Sequence, residues 1–504
     1  MFDQTTGRSW PIRALSTLLG GLEPAPAGFI VRQPFYPWLI VATTCIGAVL
    51  GQLDASIVQL ALPTFEREFM ARLSAVTWVA LGYQLAFAAI LPVYARLAEV
   101  AGRKLMYLAG FALFALASAL CGLAANLTVL IALRVLLGLS GAMLGANSVV
   151  ILVKAAGPAR RGRAMGIFAA AQAIGISLGP VTGGFVLAEL GWRWLFWINV
   201  PLGIAGAVIG WLVVPRTTDL SSDRRFDGLG ALLLVPALTA LLLLISKSFA
   251  WGPTSAAILG SAIAAIALLA AFIRHERRTA APLLDLDLFR IPAFAGGVIA
   301  IAVSYGMLFG MFFLMSFALV RGFHDSPMAA GLRLAIVPVA LGIVAPFSGA
   351  LHERLGARTV LVSGMLVCLA ALVVLSVTLT GTPPSLLGVM AALGVYGAGL
   401  GIFIAPNNSL TLRAAPASHS GQAGGLLNLM RIFGTSLGVA CASAVLSWRL
   451  DALAGTGDNT MGAPDQALLQ AVGNGLLVLI AFAAVATVAS LLRGPPRAAA
   501  VQAA

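Results

Sequence analysis

Two residues of this chain sit where chemistry is hard to accommodate. Asp54 places a carboxyl in the apolar run 38–62, and Arg134 a guanidinium in the run 128–150. An unpaired charge at membrane depth costs several kcal/mol, so each must meet a partner, a cavity or, for the acid, a proton. Burial disfavours the ionised form of a carboxyl, which is what a reversible proton carrier needs. On helices rising about 1.5 Å per residue, both side chains fall roughly 6–8 Å from the bilayer midplane, on the same side. They can pair, and an arginine competing with the proton for Asp54 couples protonation to rearrangement. Across all the apolar runs, Asp54 is read as the sole acid.

The elements that must position this pair follow from composition. The chain has 504 residues, 60% hydrophobic and 10% charged, with a mean hydropathy of +0.99. An ordinary soluble domain is about 25% charged, so a soluble globular protein is excluded. Fourteen runs of membrane-spanning length appear, at about 38–62, 75–97, 105–124, 128–150, 164–188, 194–214, 228–246, 254–273, 293–318, 328–350, 359–379, 385–406, 422–447 and 467–491. An all-α polytopic membrane protein is expected. Before the first run, Trp10–Leu22 is too short to span and carries Arg13, so it reads as an interfacial turn.

The net charge of +13 would suggest a nucleic-acid partner, were its distribution not so uneven. Of the 31 Lys and Arg, 22 fall on the side of the N-terminus and six on the other. That is the positive-inside pattern of a membrane protein with both termini cytoplasmic, and no nucleic-acid partner is expected. Abundant Ala, Gly and Arg with few Lys suggest a GC-rich bacterial genome, hence the bacterial inner membrane. The cysteines, Cys45, Cys121, Cys368 and Cys441, all lie in apolar runs and show neither disulfide nor zinc spacing.

The sequence repeats itself. Ala95–Lys104, with Glu99, Gly102 and Arg103, recurs as Gly349–Arg358, with Glu353, Arg354 and Gly356. Likewise Gly175-Ile-Ser-Leu-Gly179 recurs as Gly434-Thr-Ser-Leu-Gly438. Two six-helix units with a two-helix insert are expected: a cytoplasmic segment 1–37, a bundle 38–214, an insert 215–292, a bundle 293–491 and a tail 492–504. Parallel duplication around a midplane site is a transporter architecture.

Four stretches stand out together: Leu53-Asp54-Ala-Ser56 through Pro63, Arg134-Val-Leu-Leu-Gly138, Gly175-x3-Gly179-Pro180-x2-Gly183-Gly184, and Gly191-Trp-Arg-Trp-Leu-Phe-Trp-Ile-Asn199 through Gly203. In these the chain resembles the fourteen-helix drug:proton antiporters of the major facilitator superfamily. The resemblance implies a major facilitator fold and proton-coupled efflux of the multidrug, antibiotic-resistance type by alternating access. It implies a proton-transfer role for Arg134. It also implies a gate latch at Glu99, Gly102, Arg103 and Lys104 whose acid meets a helix N-terminus of the other half. Here Ala95, Glu99 and Val100 depart from the usual pattern, and Gly349, Glu353, Arg354, Gly356 and Arg358 keep nearer to it. Positive-inside topology alone is the competing account of these charges. Gly175, Gly179, Gly183 and Gly184 remove side chains at helical spacing, and Pro180 loosens the backbone beside them, which suits a tight seam at a gate.

For the cavity, the polar and soft residues expected are Tyr83, Gln84, Asn147, Gln172, Tyr305, Met311, Phe312, Asn407, Asn408, Asn428 and Arg431, with packing as the competing role of each. The G-x-S-x-G matches at Gly175 and Gly434 sit in apolar helices away from any histidine, so no enzyme is expected. No G-K-[ST] phosphate loop exists, and no metal or cofactor is expected beyond a proton gradient. The expected partners are the bilayer and a bulky amphiphile that is neutral, monocationic or anionic, with the protein a monomer. A non-transporting receptor or lipid-handling scaffold, and an importer on the same fold, are the alternatives.

Overall fold

A computed structural model describes residues 23–217, 227–251, 255–279, 283–381, 385–416 and 419–493. The interfacial turn expected at Trp10–Leu22 lies outside them. Fourteen helices among the described residues are long and apolar enough to cross a bilayer. They are α1 (Tyr36–Glu68), α2 (Leu73–Ala101), α3 (Arg103–Gly122), α4 (Leu127–Ala156), α5 (Arg161–Glu189), α6 (Asn199–Val213, which with the helical turn Trp194–Trp197 before it makes the span Trp194–Val213), α7 (Gly228–Trp251), α8 (Ala256–Glu276), α9 (Pro292–Phe317), α10 (in two pieces, Pro327–Leu334 and Ile336–Leu355), α11 (Ala357–Thr380), α12 (Leu386–Ala414), α13 (Ser420–Ala454) and α14 (Asp465–Leu491). Helices are the necessary form here, because backbone groups in lipid must find their partners within the segment. We call the side on which α1 begins and α14 ends the terminal face, and the opposite side the distal face.

The helices outrun their apolar cores. α1 continues to Glu68 and so carries Glu66, which is fully buried. Asp54 stays the one acid of the apolar run 38–62, and the longer helix adds a second buried carboxyl, Glu66, beyond that run.

Glycines set the packing and show the repeat in three dimensions. Gly175, Gly179 and Gly183 let α5 lie against Val49, Ser56 and Ile57 of α1, while Gly434 and Gly438 let α13 lie against the carbonyls of Ala302 and Gly306 in α9. Similarly, Gly138 of α4 faces the Tyr83 carbonyl of α2, and Gly397 of α12 faces the Val337 carbonyl of α10. A Cβ at any of these positions would collide with the neighbouring helix, so the seams depend on glycine. The tight turn from α2 to α3 rests on Gly102 (φ +108°), and the equivalent turn from α10 to α11 on Gly356 (φ +81°). The hairpin α7–α8 leans on α2 and α13, with Leu234, Leu238, Leu242 and Phe272 packed on Leu85, Ala89 and Phe433.

Candidate functional site

Arg134 and Asp54 meet as their depths foretell. Arg134 Nη1 donates to Asp54 Oδ2 at 2.6 Å, and the side chains are 1% and 0% exposed. Arg134 Nε donates to the Val79 carbonyl at 2.9 Å. Its guanidinium lies 4.5 Å from the Tyr83 ring and 5.8 Å from the Phe196 ring, which favours a cation away from water.

A third residue completes the carboxyl's shell. Asn199 Nδ2 donates to Asp54 Oδ1 at 3.1 Å and lies 3.3 Å from Ser118 Oγ, which donates to the Phe196 carbonyl at 2.8 Å. The aromatic turn before α6 fixes this arrangement: Trp192 packs edge-on against Phe65 at 5.6 Å and Phe196 stacks on Phe65 at 6.3 Å. Asn199 therefore enters the bundle as the first residue of α6, held there by rings from α1 and the turn. Sequence reasoning quoted Asn199 inside a motif but gave it no partner.

Asp54 is thus walled into protein, away from lipid, one residue from the wall of a central cavity. That cavity, of about 170 Å³, is lined by Gly51, Ala55 and Tyr83 near the ion pair. Of the expected lining residues, Tyr83, Gln84, Gln172, Tyr305, Asn408, Asn428 and Arg431 are present. Asn147, Met311, Phe312 and Asn407 are not. Asn147 turns back to the Met143 carbonyl, Asn407 reaches the Gly297 carbonyl, and Met311 and Phe312 are buried between helices. Helix phase explains the error: Ile301, Tyr305 and Phe309 form the stripe of α9 that reaches the cavity, at i, i+4 and i+8. Gln52, Phe87, Phe168 and Thr435 also line it and were missed.

The two halves touch at the midplane and seal at the distal face. Arg431 Nη1 of α13 donates to Gln172 Oε1 of α5 at 2.7 Å, and Asn428 Nδ2 to the Gly145 carbonyl of α4 at 3.5 Å. On the distal side, Glu66 Oε1 accepts the Thr460 N–H at 2.8 Å and Oε2 accepts the Thr460 hydroxyl. Beside them, the Leu73 N–H reaches the Asp458 carbonyl at 3.0 Å, the Ser74 N–H reaches Asp458 Oδ2 at 3.2 Å, and Arg321 reaches the Met461 carbonyl at 3.2 Å. Gly184 of α5 and Gly331 of α10 lie backbone to backbone. Toward the terminal face the cavity continues between α5 and α13, where Met165, Phe168 and Gly424 line it and Gly424 has open space where a Cβ would go. The structure is closed distally and open at the terminal face.

That state accounts for the latch residues. Glu99 pairs with Arg96 at 2.6 Å and Arg103 at 3.3 Å, all within one helix turn and loop. Among the described residues, the expected contact of Glu99 with a helix N-terminus of the other half is not made. Glu353, Arg354 and Arg358 stand exposed at the corresponding turn. The acid that does cap a helix here is Glu23, a residue sequence reasoning passed over. Its carboxylate takes the Leu105 N–H of α3 at 3.3 Å and the Thr217 N–H at 2.7 Å, in the space Gly102 leaves. Lys104 is buried and donates to the carbonyls of Pro24, Trp211 and Val214 at 2.8, 2.9 and 2.6 Å. Gly102 and Lys104 therefore anchor the chain before α1 onto the bundle. The serine of the second G-x-S-x-G, Ser436, donates to the Ile432 carbonyl, as a packed helical serine does.

Comparison with known proteins agrees with this architecture. The family model described as Major Facilitator Superfamily matches residues 44–439. The chain is 31% identical over 418 residues to a multidrug resistance protein B homolog of Mycobacterium tuberculosis (strain ATCC 25618 / H37Rv), covering 82% of this chain and 77% of that one. It is 30% identical over 413 residues to the riboflavin transporter RibZ of Clostridioides difficile, covering 82% and 89%. Among solved structures, a bacterial homolog of the human lysosomal transporter Spinster superposes with a TM-score of 0.65 at 16% identity, over 92% of this chain and all of that one. This last likeness bears on the fold alone.

Proposed function

This chain belongs to the Major Facilitator Superfamily, and from that premise we propose that it is a proton-coupled antiporter exporting bulky amphiphiles, drugs or secondary metabolites, across a bacterial inner membrane. The observation that carries the reading is the buried Asp54–Arg134–Asn199 cluster lying against the wall of a cavity open to one side. The bias of Lys and Arg toward the terminal face supports a cytoplasmic position for that face, and on this reading the open cavity is the loading state. A proton on Asp54 removes the charge that Arg134 answers and loosens the pair; in the antiport cycle that proton is taken up in the distal-open arrangement, carried to the loading state and released there as cargo binds, which re-forms the pair seen here. One proton falling through about 100 mV releases roughly 2.3 kcal/mol, enough for about 50-fold accumulation of a neutral solute. The relative named for multidrug resistance supports export of varied cargo. The relative named for riboflavin supports a second reading, a narrower heteroaromatic cargo.

The test is transport in proteoliposomes across a compound panel that includes riboflavin, with an imposed pH gradient. Gradient-driven movement of several amphiphiles, lost in Asp54→Asn, is expected. Movement of riboflavin alone favours the second reading, and movement indifferent to the gradient removes proton coupling.

A further inference from the structure

The cavity wall holds one charged side chain among the described residues, Arg431. Its guanidinium meets neutral acceptors: Nη1 donates to Gln172 Oε1 and Nη2 to Asn428 Oδ1, while Nε is buried without a partner. The Tyr305 ring, 5.6 Å away, favours a cation but does not neutralise it. Asp54 is already engaged by Arg134 and Asn199 on the far side of Tyr83. A guanidinium stays charged at any physiological pH, so the site carries a fixed positive charge and no counter-charge. The remaining wall carries no charge: the aromatic and aliphatic side chains of Phe87, Phe168, Phe309, Leu144 and Leu427 alternate with the neutral polar ones of Gln52, Gln84, Asn408 and Thr435.

We infer that the cavity selects amphiphiles carrying an anionic group, a carboxylate, phenolate or sulfonate, on a planar aromatic body. The inference rests on the transporter reading above and names the cargo of that same site. The anion takes the donors now held by Gln172 and Asn428, in the forked geometry a guanidinium offers. Because Gln172 sits on α5 and Arg431 on α13, loading also unties a bond between the halves. Exporting one anion for one proton moves two positive charges inward. At about 100 mV each charge contributes roughly 50-fold to the gradient, about 2,500-fold together.

The experiment titrates the full-length protein in nanodiscs with two xanthene dyes of matched shape, fluorescein methyl ester as the anion and rhodamine 123 as the cation. The anion should bind about tenfold to a hundredfold more tightly, the range one charge contributes at about 4 Å in a partly wet site. Arg431→Gln should erase the preference and Arg431→Lys retain part of it. The wild-type comparison stands alone if a variant does not fold. Equal or tighter binding of rhodamine 123, a preference surviving in Arg431→Gln, or binding of neither dye overturns the inference. Anion preference without proton-driven transport sinks the antiport reading alone, and proton-driven efflux with cation preference sinks this one alone.

Discussion

The distal seal offers a perturbation whose size follows from the structure. Thr460 gives Glu66 two donors, its N–H at 2.8 Å and its hydroxyl, and both residues are fully buried. Thr460→Val keeps the shape and the backbone donor but removes the hydroxyl, leaving Glu66 Oε2 unanswered. A hydrogen bond to such a group contributes about 1.5–3 kcal/mol. Glu66 belongs to the first half and Thr460 to the second, so the bond exists only while the distal face is closed. Its loss should raise the ratio of distal-open to distal-closed molecules by about tenfold to 150-fold. Spin labels at Met70, 81% exposed, and at Ala452, exposed on the other half, report that ratio as long against short distances. Thr460→Ser, which restores the hydroxyl, should return the wild-type distribution. An unchanged distribution in Thr460→Val would show that the seal does not hold the gate.

Further expectations follow from the seam and the ion pair. Gly184→Val drives a side chain into the Pro327–Gly331 backbone of α10; overpacking of about 1–3 kcal/mol should shift the same labels toward distal-open and slow transport in proteoliposomes. Arg134→Leu leaves a buried carboxyl with Asn199 as its remaining partner and should cost about 3–5 kcal/mol of stability in thermal melts. Adding Asp54→Asn to that variant should recover most of the loss, and additivity of the two would count against a direct pair.

The architecture was legible because hydrocarbon makes one demand on every span, and length with apolarity states it. The repeat was legible for a related reason: Gly175 and Gly434, or Gly102 and Gly356, meet the same steric need in each half. Depth along a helix placed Asp54 beside Arg134, since rise per residue is fixed. Rotation about the helix axis was harder. α9 is buried on nearly all sides, so no polar face marks its phase, and Met311 and Phe312 were chosen by residue type where Tyr305 and Phe309 hold the cavity stripe. Asn407 and Asn408 differ by one residue and therefore by about 100°, which puts one against α9 and the other in the cavity. Contacts built by long-range docking left no local mark: Glu66 with Thr460, Glu23 with α3, and Asn199 with Asp54 each join segments far apart in sequence.

Proton release on substrate binding addresses the role of Asp54 most directly. A transported compound is added to purified protein in weakly buffered solution, and the pH change is read against protein concentration. Wild type should release about one proton per molecule, and Asp54→Asn should bind the compound yet release none. Release from Asp54→Asn equal to that of wild type would move the coupling site elsewhere and contradict the account.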